Sequence, residues 1–450
     1  MDRSTIDYSN EEKNSLFQEK LKNNGGTING KVAATTITPL FFSAEKYDKI
    51  ACQSELILEA IEIILRLYRV DIEIQSYYPE LYHLKDLINI GYDSLDSSNG
   101  RLNHFARFDF IENENGNIGI MEFNTATPGG LLIVPTLKKI FESCDFLKDE
   151  VKTKEFPILP MDDTRCFLNY LIGLFQKIKE TSLLPTIAFV LNKKHQSLFT
   201  DMDQFLQVGK EMGLDLLVAG YDELVYNGQV LSYNGKGIDI IWNKFSMQAS
   251  VVNGRVTPQY YTETPEEAKD FIQAVKEQKV IALNGFPSYF ISENKKTLAL
   301  LLDKRFHHHF TNKQIKAIQS LILPTFVLSS NQDKFKEFKE NIIKNKDEYV
   351  IKSSSDTRGR AIFIGKSMSQ NDWNSLVEQS VDGPFVIQQF IKSKQSMAVC
   401  PQSANEVLMN TTLAIFILGG KASGLLSRCS PNLIHNVFSG GFMQVLYLVN

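Results

Sequence analysis

Residues Arg107 to Gly130 read R-F-D-F-I-E-N-E-N-G-N-I-G-I-M-E-F-N-T-A-T-P-G-G, and the rest of the chain is organised around this stretch. Asn115-Gly116 is a strong hairpin signal, because both residues tolerate the positive φ that a two-residue type I′ turn requires. With that pair as the loop, Asp109 falls opposite Glu122, Arg107 opposite Asn124, Phe108 opposite Phe123 and Phe110 opposite Met121. Side chains alternate along a strand, so Arg107, Asp109, Glu122 and Asn124 share one face and the apolar residues take the other. Two carboxylates directly across a ladder lie ~5 Å apart and repel. A hard divalent cation is the simplest counter-charge, since Mg²⁺ takes carboxylate and amide oxygens. Arg107 beside them suits a phosphate oxygen, because guanidinium is a planar fork of donors. The other reading of the same residues is the solvated polar face of an ordinary hairpin with its register one residue away.

The chain has 450 residues, more than one core sustains, so two or three domains are expected. A hydrophobic fraction of 43% and a charged fraction of 22% are those of a soluble globular protein. The net charge of −4 provides no general field for nucleic acid. The N-terminus is polar and acidic with no signal peptide, and no apolar run is long enough to span a bilayer. Five cysteines, far apart and without a CxxC, point to reduced thiols and a cytoplasmic location.

In chain order, a polar arm of about 30 residues precedes an apolar anchor, Thr38 to Phe42. Ser43 is a plausible N-cap for a long helix whose apolar positions run from Tyr47 to Tyr68. Residues 1–104 are therefore expected to be a helical region. Residues 105–160 hold the hairpin and a connection, including the small-residue turn Thr125-Ala126-Thr127-Pro128-Gly129-Gly130, which suits either substrate contact or a plain turn. Residues 161–290 alternate strand and helix: Pro185–Leu191, a helix ending at the C-cap Gly213, then Leu214–Ala219, Ile238–Trp242 and Val280–Leu283. That pattern is a parallel, Rossmann-like α/β unit, without the glycine fingerprint of dinucleotide binding.

Residues 291–450 carry two lysines at a helix start, Lys295 and Lys296, and a strand ending in Lys352. The loop Ser353–Arg360, with Gly359, Arg358 and Arg360, can fold over phosphates or can be an ordinary solvated hairpin loop. Gly383 to Ile391 is a further strand. His307-His308-His309 cannot converge on one ion from a helix, since successive residues point about 100° apart.

Four of these pieces, in this order, resemble the circularly permuted ATP-grasp ligases, in particular the synthetase domain of glutathionylspermidine synthase. They are Arg107-Phe-Asp109 with Glu122-Phe-Asn124; Asn294-Lys295-Lys296-Thr-Leu-Ala-Leu-Leu301; Tyr349-Val-Ile-Lys352 with the strand Gly383–Ile391; and Arg428 ahead of Gly440-Gly441. The match covers about residues 100 to 450. The resemblance implies an α/β ATP-grasp fold and an ATP- and Mg²⁺-dependent carboxylate–amine ligase working through an acyl phosphate, with two ions expected. It implies Asp109, Glu122 and Asn124 as metal ligands, and Lys295, Lys352 and Gly359 at the phosphates. Gln388, Gln389, Phe390 and Ile391 would serve adenine, and Arg107 and Arg428 the reacting groups. Substrates would be a small carboxylate and an amine. Loading of an amino acid onto a carrier-protein thiol and an inactive ATP-grasp binding protein are the alternatives. All versions require the hairpin within ~15 Å of Lys352, the reach of a triphosphate and its metals.

Overall fold

The structure, a computed structural model, describes residues 11–28, 30–94, 100–145, 156–191, 201–244, 248–252, 255–259, 266–331, 335–355, 361–433 and 440–450. Helix α1 (Glu11–Asn23) leads to strand β1 (Thr35–Ser43). Ser43 then accepts the Lys46 amide at 3.3 Å and caps α2 (Ala44–Tyr68), as its sequence predicts. The residues before 104 are thus not only helical. β1 is rich in Thr, Ile and Phe, residues that fit a pleated surface, and it pairs in parallel with the last strand of the chain. Pro39 has no amide to give a ladder, and it falls where the register between these two strands shifts.

The hairpin consists of β2 (Phe105–Glu112) and β3 (Ile118–Asn124). Asp109 faces Glu122, Arg107 faces Asn124 and Phe108 faces Phe123, as expected, but Phe110 faces Ile120 rather than Met121. Two departures produce this pairing. The turn is not the two-residue type: Asn113 N donates to Asn117 O, leaving Glu114, Asn115 and Gly116 as the loop, and among them positive φ belongs to Gly116, at 78°. That shifts the register by one. A bulge then places Met121 as an extra residue between Asp109 and Phe110 and shifts it back. The aromatic face joins the same hydrophobic core as the apolar side of α2, with the Phe108 and Phe123 rings 4.5 Å apart. Helix α3 (Ile133–Glu142) follows, lying over the opposite face.

Strands β4 (Thr186–Leu191), β5 (Asp215–Ala219), β6 (Ile240–Lys244) and β7 (Ile281–Ala282) form a parallel sheet in the order β7-β6-β4-β5. Helices α4 (Cys166–Lys179), α5 (Met202–Glu211) and α6 (Lys269–Lys276) connect and cover it. Gly213, at φ 70°, ends α5 as a C-cap glycine should.

Helix α7 (Lys296–Leu302) opens the next lobe. Its four-stranded sheet has the order β8-β11-β9-β10, from β8 (Thr325–Phe326), β9 (Tyr349–Ser353), β10 (Ile362–Ile364) and β11 (Phe385–Gln389). A separate core around Trp373, Ile351 and Phe385 supports it. β12 (Gln395–Val399), β13 (Glu406–Leu418), β14 (Lys421–Ser430) and β15 (Phe442–Val449) then return to the hairpin. Together they complete a seven-stranded sheet, β1-β15-β14-β13-β2-β3, with β12 also on β13. β3 is the edge of that sheet, and the smaller lobe lies against this edge: Leu323 N donates to Ile120 O at 3.1 Å.

Candidate active site at the seam between two sheets

Asp109 sits on β2, one strand in from the edge of the large sheet, and is 1% exposed. Arg107, two residues earlier on the same face, grips it with Nε on Oδ1 at 2.7 Å and Nη2 on Oδ2 at 3.0 Å. Arg428 reaches it from β14, with Nη2 at 2.5 Å from Oδ2. The register explains that reach. Arg428 pairs with Thr412 and Asp109 with Ala414, two residues along β13, so both side chains lie on one face of the sheet. Burial pushes the Asp109 carboxyl up, but the two guanidinium groups outweigh it and hold the pKa below the ordinary carboxylate value. The third donor of Arg107, Nη1, holds Gly129 O at 2.8 Å.

The two carboxylates expected to share a cation have protein counter-charges in this structure. Arginines neutralise Asp109, and Lys295 Nζ stands 3.5 Å from Glu122 Oε2. Both Asp109 oxygens accept from guanidinium groups, Oδ1 from Arg107 and Oδ2 from Arg107 and Arg428. Glu122 and Asn124 differ: both are half-buried on the same face. The buried Asn124 Nδ2 and Arg428 Nε have no hydrogen-bond partner among the described residues.

Lys352 ends up beside the hairpin, as required: its Nζ lies 3.4 Å from Met121 O and 2.6 Å from Gln388 Oε1. Burial pushes this lysine down to about 8, Glu122 and Asp109 acting against that and Lys295 with it. Lys295, just before α7, gives its backbone amide to Ser354 O at 2.8 Å, which ties the helix start to the strand end after Lys352. The Gln388 side chain is buried rather than displayed. The Gln389 and Phe390 amides donate to Pro324 O and Glu348 O, so these two N–H groups are committed within the fold. Ile391 is half-buried, two residues past the end of the strand. Gly359, Arg358 and Arg360 lie outside the described residues.

Several positioning residues escaped the sequence reading. Glu293 Oε2 accepts the amides of Thr125 at 2.9 Å and Ala126 at 2.7 Å, fixing the small-residue turn. Asn284, at φ 49° and fully buried, takes the His104 amide at 2.7 Å and donates to Phe105 O at 2.6 Å and to Thr125 O. Glu80 pairs with Lys296 at 2.8 Å and takes Asn294 Nδ2 at 3.2 Å, tying the N-terminal region to α7. Neither Asn284 nor Glu80 sits in a motif with a chemical signature. His307 and His308 face the backbone oxygens of Leu301 and Arg305 at 3.2 and 2.8 Å.

The fold is a mixed α/β ATP-grasp fold. Residues 273–393 match the model of the tubulin-tyrosine ligase family, a span that holds Lys295, Lys352 and the strand to Ile391 but neither the hairpin nor Arg428. A glutathione synthetase-like effector of Globodera pallida, solved in its apo form, superposes with a TM-score of 0.59 at 12% identity, over 97% of this chain and 96% of that one. A putative gamma-glutamylcysteine synthetase of Methylobacillus flagellatus gives a TM-score of 0.40 at 10% identity, over 88% of this chain and 85% of that one. No curated protein sequence matches the chain. No helix among the described residues is long and apolar enough to cross a membrane.

Proposed function

We propose that this chain is an ATP- and Mg²⁺-dependent carboxylate–amine ligase, with its reaction centre at the seam between β3 and the smaller lobe. The observation that carries the reading is the approach of Lys352 to Met121 O at 3.4 Å, with Lys295 3.5 Å from Glu122. Two lysines, two arginines and two carboxylates from distant parts of the chain meet there, an excess of positive charge suited to a polyphosphate.

Lys295 and Lys352 hold the phosphates, and the backbone from Gln388 to Ile391 lines the place of the base. Glu122 and Asn124 fit a metal ion shared with phosphate oxygens, since Mg²⁺ is commonly bound through one or two carboxylates plus the nucleotide. Such an ion, when bound, draws charge from the phosphate oxygens as the bond to ADP breaks. Asp109 takes a different part from a ligand: it aims Arg107 and Arg428 at the reacting groups. A substrate carboxylate oxygen attacks the γ-phosphorus and ADP leaves. The amine then attacks the acyl carbon, phosphate leaves, the amine proton is lost, and an amide remains. The contribution of the chain is position and fixed positive charge, which is most of what phosphoryl transfer demands.

Hydroxylamine intercepts acyl phosphates as hydroxamates, so the reading is tested by incubating the protein with MgATP, hydroxylamine and a panel of amino acids and short peptides. Hydroxamate formation with equal ADP release is the expected outcome for at least one carboxylate. ADP release that is the same with and without every carboxylate would contradict a ligase.

A further inference from the structure

The side chain of Gln388 is buried, and it makes three directed contacts. Its Oε1 accepts Lys352 Nζ at 2.6 Å; its Nε2 donates to Met121 O at 3.2 Å and to Thr325 Oγ1 at 2.8 Å. The direction of each follows from chemistry. A lysine ammonium only donates, so the amide oxygen must face it. A carbonyl only accepts, so the amide nitrogen must face Met121. Thr325 spends its own proton on Leu323 O at 2.7 Å and therefore accepts from Gln388. No flipped amide satisfies all three partners.

The bulge in β3 makes this arrangement possible. Successive carbonyls on a strand point to opposite edges, and only one of each pair can face the neighbouring lobe. Here Ile120 O accepts Leu323 N and the next carbonyl, Met121 O, also faces the lobe, receiving Lys352 and Gln388. The extra residue turns the second carbonyl outward. A primary amide then bridges the two bodies: β11 and β8 on one side, the bulge of β3 on the other, with the Lys352 ammonium held between them.

We infer that Gln388 is a positioning residue, whose side-chain amide holds the Lys352 ammonium against the Met121 carbonyl across the seam and so fixes where that lysine meets a phosphate. The inference rests on the nucleotide site proposed above. It separates this amide from any backbone role in base binding, because it acts through Lys352.

A double-mutant cycle on the full chain tests it, with affinity for the non-hydrolysable analogue AMP-PNP and Mg²⁺ measured by calorimetry and folding checked by thermal melts. Gln388→Met keeps the length of the side chain and removes all three contacts. Alone it is expected to weaken AMP-PNP binding on the order of tenfold, as loss of a hydrogen bond to a charged group does. Lys352→Met weakens binding further, and in that background Gln388→Met adds nothing. Equal losses with and without Lys352 would overturn the inference, since the amide would then act on the nucleotide independently. Full affinity in Gln388→Met would overturn it too. A Lys352→Met protein that binds as tightly as the parent would instead overturn the nucleotide site, and the inference with it.

Discussion

Around Asp109 one buried carboxylate holds two guanidinium groups, and this corner decides how the site should respond to substitution. A buried ion pair broken from one side leaves an uncompensated charge, which costs more than the pair itself contributes. Asp109→Asn should therefore lower stability by roughly 3 kcal/mol, read as a drop in melting temperature without any ligand. The pH dependence has a definite sign. The folded-state pKa of Asp109 is depressed, so its contribution is present above the ordinary carboxylate pKa and is lost as pH falls through the folded value. The difference in melting temperature between parent and Asp109→Asn should shrink in acid; a difference that stays constant down to strongly acidic pH would contradict the ion-pair account. That Arg107 shares a face with Asp109, and Glu122 with Asn124, was legible in the sequence, because side-chain alternation is local. The second counter-charge of Asp109 was not, since Arg428 lies 319 residues from it and only the sheet brings them together.

Asn-Gly gives two different turns in this chain. At Asn234-Gly235 both residues have positive φ, 50° and 78°, and Tyr233 pairs with Lys236 across a two-residue loop. At Asn115-Gly116 the Asn113 side chain intervenes, its Oδ1 accepting the amides of Asn115 at 3.0 Å and Asn117 at 2.9 Å. An Asx-type turn thus outcompetes the type I′ turn, and the loop gains a residue. The bulge at Met121 then restores the pairing of Asp109 with Glu122, so the expected facing is reached by a route that turn propensity does not encode. Asn113→Ala removes both turn contacts and should cost about 1 kcal/mol, seen in thermal melts. Because the bulge lies between the turn and the site, AMP-PNP affinity should stay within about twofold. A large loss of affinity would mean that the turn sets the site directly.

Over the whole molecule, what could be read from the sequence was what is local. The strand–helix alternation of residues 186–282 and the lysines at a helix start and a strand end follow from periodicity and charge. Strand β1 was missed because its partner is the final strand, and parallel pairing across the length of the chain leaves no mark between the two segments. The seam was inferred from motif order, and its substance, the Met121 carbonyl facing Lys352, depends on a bulge with no sequence signature. The account makes this seam a nucleotide site, and one calorimetric titration tests that most directly: AMP-PNP with Mg²⁺ into the parent protein and into Lys352→Met. The account predicts saturable, one-to-one binding by the parent and loss of at least tenfold in affinity on removing the ammonium. No binding by the parent, or equal affinity in both proteins, would contradict it.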